Sequence, residues 1–93
     1  VIVAPEQLLT DWPPQTFADL EATHFEALLT LDLEIVLLGT GQRQRFPHPK
    51  LTAVLPANGV GVEVMDTFAA CRTYNLLMLE GRRVAAALLI VGD

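Results

Sequence analysis

The sequence predicts an α/β fold: a single layered domain whose mixed, mostly parallel four-stranded sheet carries helices in the order β-α-β-α-β-α-β. Three observations lead there. Short apolar, β-branched runs at 1–4, 34–40, 60–65 and 82–91 alternate with segments whose apolar residues recur at helical spacing. Two of the runs, EIVLLGT and RRVAAALLIV, lack polar alternation at their centres, as strands covered on both faces do. Ninety-three residues, 52% of them apolar, suffice for one well-filled core and no second one.

VIVA (1–4) reads as a strand that Pro5 ends. Pro5, Pro13 and Pro14 forbid a long helix over the next dozen residues, leaving room for a short turn around Glu6 to Leu9. Trp12, among these prolines, is expected to cap a core edge; an exposed Trp here would mark a partner surface. From Asp19 the pattern turns helical, with Ala22, Phe25, Leu28 and Leu29 on one face. Asp19 is a candidate N-cap, and Thr23 with Glu26 a candidate capping box. After the strand at 34–40, Pro49 suits a first helical position, and Leu51, Val54 and Leu55 form a short apolar face. Pro56 and Asn58-Gly59 are expected to end that helix. VGVEVM (60–65) reads as a strand near the sheet edge because of its glycines and Glu63. Asp66 or Thr67 caps the longest helix, which Gly81 stops, and the final apolar strand belongs at the centre. The expected sheet order is first, fourth, second, third.

The net charge is −5, unevenly spread: residues 1–42 hold seven acids and no base. That balance excludes general nucleic-acid binding, which needs a basic face to displace phosphate counterions. The longest apolar run, residues 84–91, is eight residues against the ~20 needed to span a bilayer. Cys71 is the only cysteine, so an intrachain disulfide and a cysteine-based zinc site are both excluded. This composition fits a reducing compartment, and the expected location is cytoplasmic. His24 and His48 have no partner at metal-ligand or triad spacing, so neither a metal nor a catalytic set is assigned, and no cofactor is expected.

One place could hold a ligand. If the second and third strands are parallel neighbours, Gly39-Thr40-Gly41 faces Asp66-Thr67 at the strand ends, where ligands in open α/β sheets gather and helix amides favour anions. Arg43 or Arg45 could add charge. Phe68, Arg72, Asn75 and Leu79 share one helix face, from which Arg72 could reach the loop while Tyr74 or Asn75 orients the ligand. The candidate cleft is thus Gly39, Thr40, Gly41, Arg43, Asp66, Thr67, Arg72, Tyr74 and Asn75. GTGQRQ lacks the third glycine of a dinucleotide fingerprint and the Gly-Lys-Ser/Thr of a P-loop, so a tight turn is the first reading and a ligand loop the second.

EIVLLGTGQRQRF, followed by GVGVEVMDTFAACRTYNLLMLEGRRVAAALLI, resembles a family of small bacterial and archaeal α/β proteins of unknown function whose mitochondrial relative is an assembly factor for respiratory complex I. The resemblance covers nearly the whole chain. It implies further strand or hairpin residues before Val1, so that 1–93 is a single domain lacking part of the full-length sheet. Gly39, Thr40, Gly41, Arg72, Thr73, Tyr74, Asn75, Glu80 and Arg83 match the family pattern, and no catalytic role comes with them. Together these readings point to a non-catalytic protein-interaction or assembly-factor-like module rather than an enzyme. Its expected partners are proteins, with peripheral association to a membrane complex and a monomeric or weakly oligomeric state; interaction would use a face near the cleft or around Trp12 and Phe46. The alternative is an anionic-ligand binder or an unrecognised enzyme using the cleft.

Overall fold

The computed structural model describes residues 1–90. Its sheet has five strands in the order β2-β1-β5-β3-β4, with β1 at Ile2–Ala4, β2 at Gln7–Leu9, β3 at Ile35–Gly39, β4 at Gly61–Met65 and β5 at Val84–Leu88. Strands β4, β3 and β5 are parallel, and β1 runs antiparallel to β5 and to β2. The α/β class and the order of the four expected strands hold. The strand expected over 82–91 is shorter, and Val91 lies outside the described residues.

The fifth strand corrects the turn expected at Glu6 to Leu9. Pro5 and Glu6 form a two-residue turn, after which Gln7–Leu9 folds back on β1, pairing Leu9 with Ile2. All three β2 residues are exposed, so no burial pattern marks this strand in the sequence. What defines it is its pairing with β1.

Every residue of β5 is buried, which its place between β1 and β3 requires. Its three alanines let both layers come close. Ala86 packs with Leu37, Ala70 and Tyr74 beneath α4 (Thr67–Leu79). Ala85 and Ala87 face the opposite layer, where Phe25, Leu28 and Leu55 are buried.

That opposite layer is built from short pieces. The single helix expected from Asp19 is instead a 3-10 turn at Phe17–Asp19, α1 at Ala22–Glu26 and a 3-10 segment at Ala27–Leu31. Asp19 is no N-cap of α1; its Oδ2 accepts the Thr16 N–H at 3.2 Å within the preceding turn. Neither do Thr23 and Glu26 cap: Glu21 is the N-cap, and its N–H donates to His24 Nδ1 at 3.0 Å. Pro49 opens α2 (Pro49–Thr52), with His48 Nδ1 capping the Lys50 N–H. Pro56 does not stop the next turn but sits inside α3 (Val54–Ala57). A proline in a first helical turn removes only an amide that has no helical acceptor there.

Candidate functional site

β3, β4 and β5 end level, with Gly39 opposite Met65 on one side and Leu88 on the other. The Gly-Thr-Gly loop, the start of α4 and Leu89-Ile90 therefore meet at one edge of the sheet. Two different constraints explain the glycines. A Cβ on Gly39 would stand 2.9 Å from the Thr67 Cα, so only a residue without a side chain lets α4 begin this close to β3. Gly41 has φ 94°, a backbone conformation that L side chains rarely take.

Thr40 is buried and holds the loop together. Its Oγ1 donates to the Arg43 carbonyl at 2.6 Å and accepts the Arg45 N–H at 3.1 Å, while its N–H donates to the Met65 carbonyl at 2.9 Å. Thr67 does the same for three elements. Its hydroxyl accepts the Gly41 N–H at 2.8 Å and donates to the Leu89 carbonyl at 2.7 Å; its own N–H donates to the Gly41 carbonyl at 2.9 Å. Asp66 caps α4, with its Oδ1 accepting the Ala69 N–H at 2.8 Å and its carbonyl accepting the Ala70 N–H at 2.9 Å. The amides of Gly41, Thr67, Ala69 and Ala70 are all occupied by protein acceptors. Loop and helix start thus spend these four donors within the protein, so that they are not open to a phosphate.

A cleft of about 330 Å³ remains here, lined by Gly41, Gln42, Asp66, Thr67, Phe68 and Ile90. Of the nine residues expected to form a site, Gly41, Asp66 and Thr67 line it, and Gly39 and Thr40 sit beneath it. The other four lie elsewhere. Arg43 is exposed and contributes its carbonyl to the loop. The Arg72 guanidinium lies over the Phe68 ring at 5.3 Å from its centroid. Tyr74 is on the inner face of α4, packed with Leu37 and Val84, where burial raises its hydroxyl pKa above 10.0. Asn75 is exposed. The sequence reading missed Gln42 and Ile90, whose presence follows only from the level strand ends. Among the described residues no group of three or more His, Cys, Asp or Glu is placed to hold a metal ion, and no helix is long and apolar enough to cross a membrane.

Apolar surface is more prominent than polar machinery. Phe68, Leu76 and Leu79 on the outside of α4 are 73%, 64% and 78% exposed, and Phe46 and Ile90 are exposed as well. Trp12 does not contribute. It is 8% exposed, its Nε1–H donates to the His24 carbonyl at 3.1 Å, and its ring meets Phe25 edge-on at 6.1 Å. Of the two aromatic residues expected at an interaction face, only Phe46 is exposed.

Comparison with known proteins places these features in a lineage. The chain is 35% identical over 85 residues to the mouse NADH dehydrogenase [ubiquinone] 1 alpha subcomplex assembly factor 3, an alignment covering 89% of this chain and 46% of that protein. It thus spans about half the length of the curated relatives of this kind. The crystal structure of a Bordetella parapertussis protein superposes with a TM-score of 0.88 at 48% identity, covering 97% of this chain and 77% of that one. The solution structure of a Bordetella pertussis protein, described as a Mth938-like domain, gives 0.83 at 39% identity, covering 99% and 73%. The family described as "Protein of unknown function (DUF498/DUF598)" matches residues 1–89, and the chain belongs to it.

Proposed function

We propose that this domain is a non-catalytic protein-interaction module of the assembly-factor kind, and that it engages another protein through the outer face of α4. The observation that carries this reading is the row Phe68, Leu76 and Leu79: three large apolar side chains exposed on a helix whose other face is already buried against β3 and β5. Leu8, Leu9, Phe46 and Ile90 are exposed elsewhere, but α4 presents three such side chains together, and a contiguous apolar patch suits contact with another macromolecule. Arg72, stacked on Phe68, adds a residue type enriched in binding hot spots. The relatives named as assembly factors support the same reading.

Affinity capture from native cells, with wild type beside the Leu76→Glu, Leu79→Glu double variant, tests it. A reproducible partner that the variant loses, at unchanged thermal stability, is the expected result. No reproducible partner above background, or one retained in full by the variant, overturns it.

The anionic-ligand reading has less behind it. The cleft at Gly41 and Thr67 is lined by one acidic residue and no cationic one, and the amides of Gly41, Thr67, Ala69 and Ala70 are occupied.

A further inference from the structure

At the opposite end of the sheet β3 and β5 begin side by side, Ile35 opposite Val84. Glu34 locks the two chains together just before they do. Its Oε1 accepts the Arg83 N–H at 2.9 Å, its Oε2 accepts the Arg82 Nε–H at 3.3 Å, and its own N–H donates to the Arg83 carbonyl at 2.8 Å. Arg83 is therefore held through its backbone from both sides. Its guanidinium makes no hydrogen bond or salt bridge among the described residues, and Arg82 commits only its Nε. The Arg83 charge acts on Glu34, and its exposed guanidinium keeps its hydrogen-bond donors free for a ligand.

Both arginines line a cleft of about 400 Å³. The β1–β2 turn brings Glu6 to it, the segment before β3 brings Asp32, and Leu31 and Met78 supply apolar surface. Asp32 has φ 54°, a left-handed conformation uncommon outside glycine. That conformation turns the chain out of the 3-10 segment and into the residue before β3, beside the cleft.

We infer that this cleft is a site for a small zwitterion of the amino-acid type with an apolar side chain. The lining includes two arginines and two acidic residues. A simple anion would meet Glu6 and Asp32, and a simple cation would meet Arg82 and Arg83. A ligand with both charges satisfies both sets, its carboxylate on Arg83 and its ammonium towards Glu6 and Asp32. The end of α4 also reaches the cleft through Met78 and Gly81, and the negative end of a helix dipole favours the ammonium. Leu31 and Met78 then receive the apolar side chain. None of these residues lies on the exposed Phe68–Leu79 face, so this site and the proposed protein-binding face stand or fall separately.

Leucine is the probe, titrated to about 10 mM into the full-length protein while amide chemical shifts are followed. Saturable shifts centred on Gln7, Asp32, Gly81 and Arg83 are expected. 4-Methylpentanoate, which lacks the ammonium, and 3-methylbutylamine, which lacks the carboxylate, should each bind at least about tenfold more weakly, as should leucine to Arg83→Gln. Arg83→Gln removes no hydrogen bond or salt bridge among the described residues, only a charge that acts on Glu34, so the variant should fold with a melting temperature close to that of wild type. The assignment is overturned by an absence of saturable shifts at those amides, by either single-charge analogue binding as well as leucine, or by unaltered leucine binding in a folded Arg83→Gln protein.

Discussion

Gly39 and Thr67 are in steric contact: a Cβ added to Gly39 would lie 2.9 Å from the Thr67 Cα and 3.0 Å from its Oγ1. The opposing Cα belongs to backbone and cannot swing aside, so Gly39→Ala must push α4 away from β3. An overpacking cost of about 1–3 kcal/mol is expected, lowering the melting temperature by roughly 4 °C or more. Gly61→Ala serves as the control, because its Cβ would meet nothing closer than 3.6 Å. Equal melting temperatures for the two variants would show that the contact does not constrain residue 39.

The Thr67 hydroxyl ties the loop, α4 and the chain after β5 through the Gly41 N–H and the Leu89 carbonyl. Thr67→Val keeps the shape and strands both partners, at a cost of about 1–3 kcal/mol. Thr67→Ser should recover most of the loss. Chemical denaturation of the three proteins checks this, and a serine variant as unstable as the valine one would assign the role to the methyl group instead.

Glu34 provides a pH signature. The Arg83 N–H holds its carboxyl below the ordinary 4.5 against the opposing effect of desolvation, and the Arg82 hydrogen bond and the charges of Arg82 and Arg83 add to the lowering. A depressed folded-state pKa contributes stability that is present above the unfolded value and is lost as pH falls through the folded one. Glu34→Gln should therefore destabilise the protein near neutral pH, with a difference that shrinks as pH falls below the ordinary carboxylate range. Urea midpoints across that range test the sign; a constant difference at all pH values would mean that charge is irrelevant to the clamp. Asp19, lowered mainly by the Thr16 amide, titrates in the same direction and is unchanged by the substitution.

Arg72 bears on whether the Gly-Thr-Gly cleft takes anions. Its guanidinium lies over Phe68, and the amides of Gly41, Thr67, Ala69 and Ala70 are occupied. A thermal-shift titration with inorganic phosphate should be flat for wild type and for Arg72→Met alike. A ligand at 100 times its dissociation constant would stabilise the fold by about 2.7 kcal/mol, readily visible here. A phosphate-dependent rise that Arg72→Met abolishes would restore the ligand-loop reading.

Where burial follows periodicity, the chain was legible. The unbroken apolar run at β5 identified the central strand, and the glycines with Glu63 placed β4 at an edge. The helical layer over Phe25 was harder. Its apolar spacing is helical, yet the backbone alternates between α and 3-10 turns whose ends are set by His24 and Asp19 side chains rather than by hydropathy. The expected site was legible only as a neighbourhood. Chain order puts Arg72, Tyr74 and Asn75 near Thr67, but the rotation of α4 sends Tyr74 inward and leaves Arg72 and Asn75 exposed.

By itself the sequence determined the α/β class, the order of the four expected strands and a cap for α4 at Asp66 or Thr67, of which the structure selects Asp66, because these follow from local pattern: which residues are apolar, at what period, and which can cap. Tertiary structure alone decided the exposed strand β2, the burial of Trp12 and the division of labour between Gly39 and Gly41. The first depends on hydrogen bonds to another segment, the second on the Phe25 and His24 that surround the indole, and the third on how closely α4 approaches β3. Each is a relation between distant parts of the chain, and hydropathy records only what a residue would rather be near, not what reaches it.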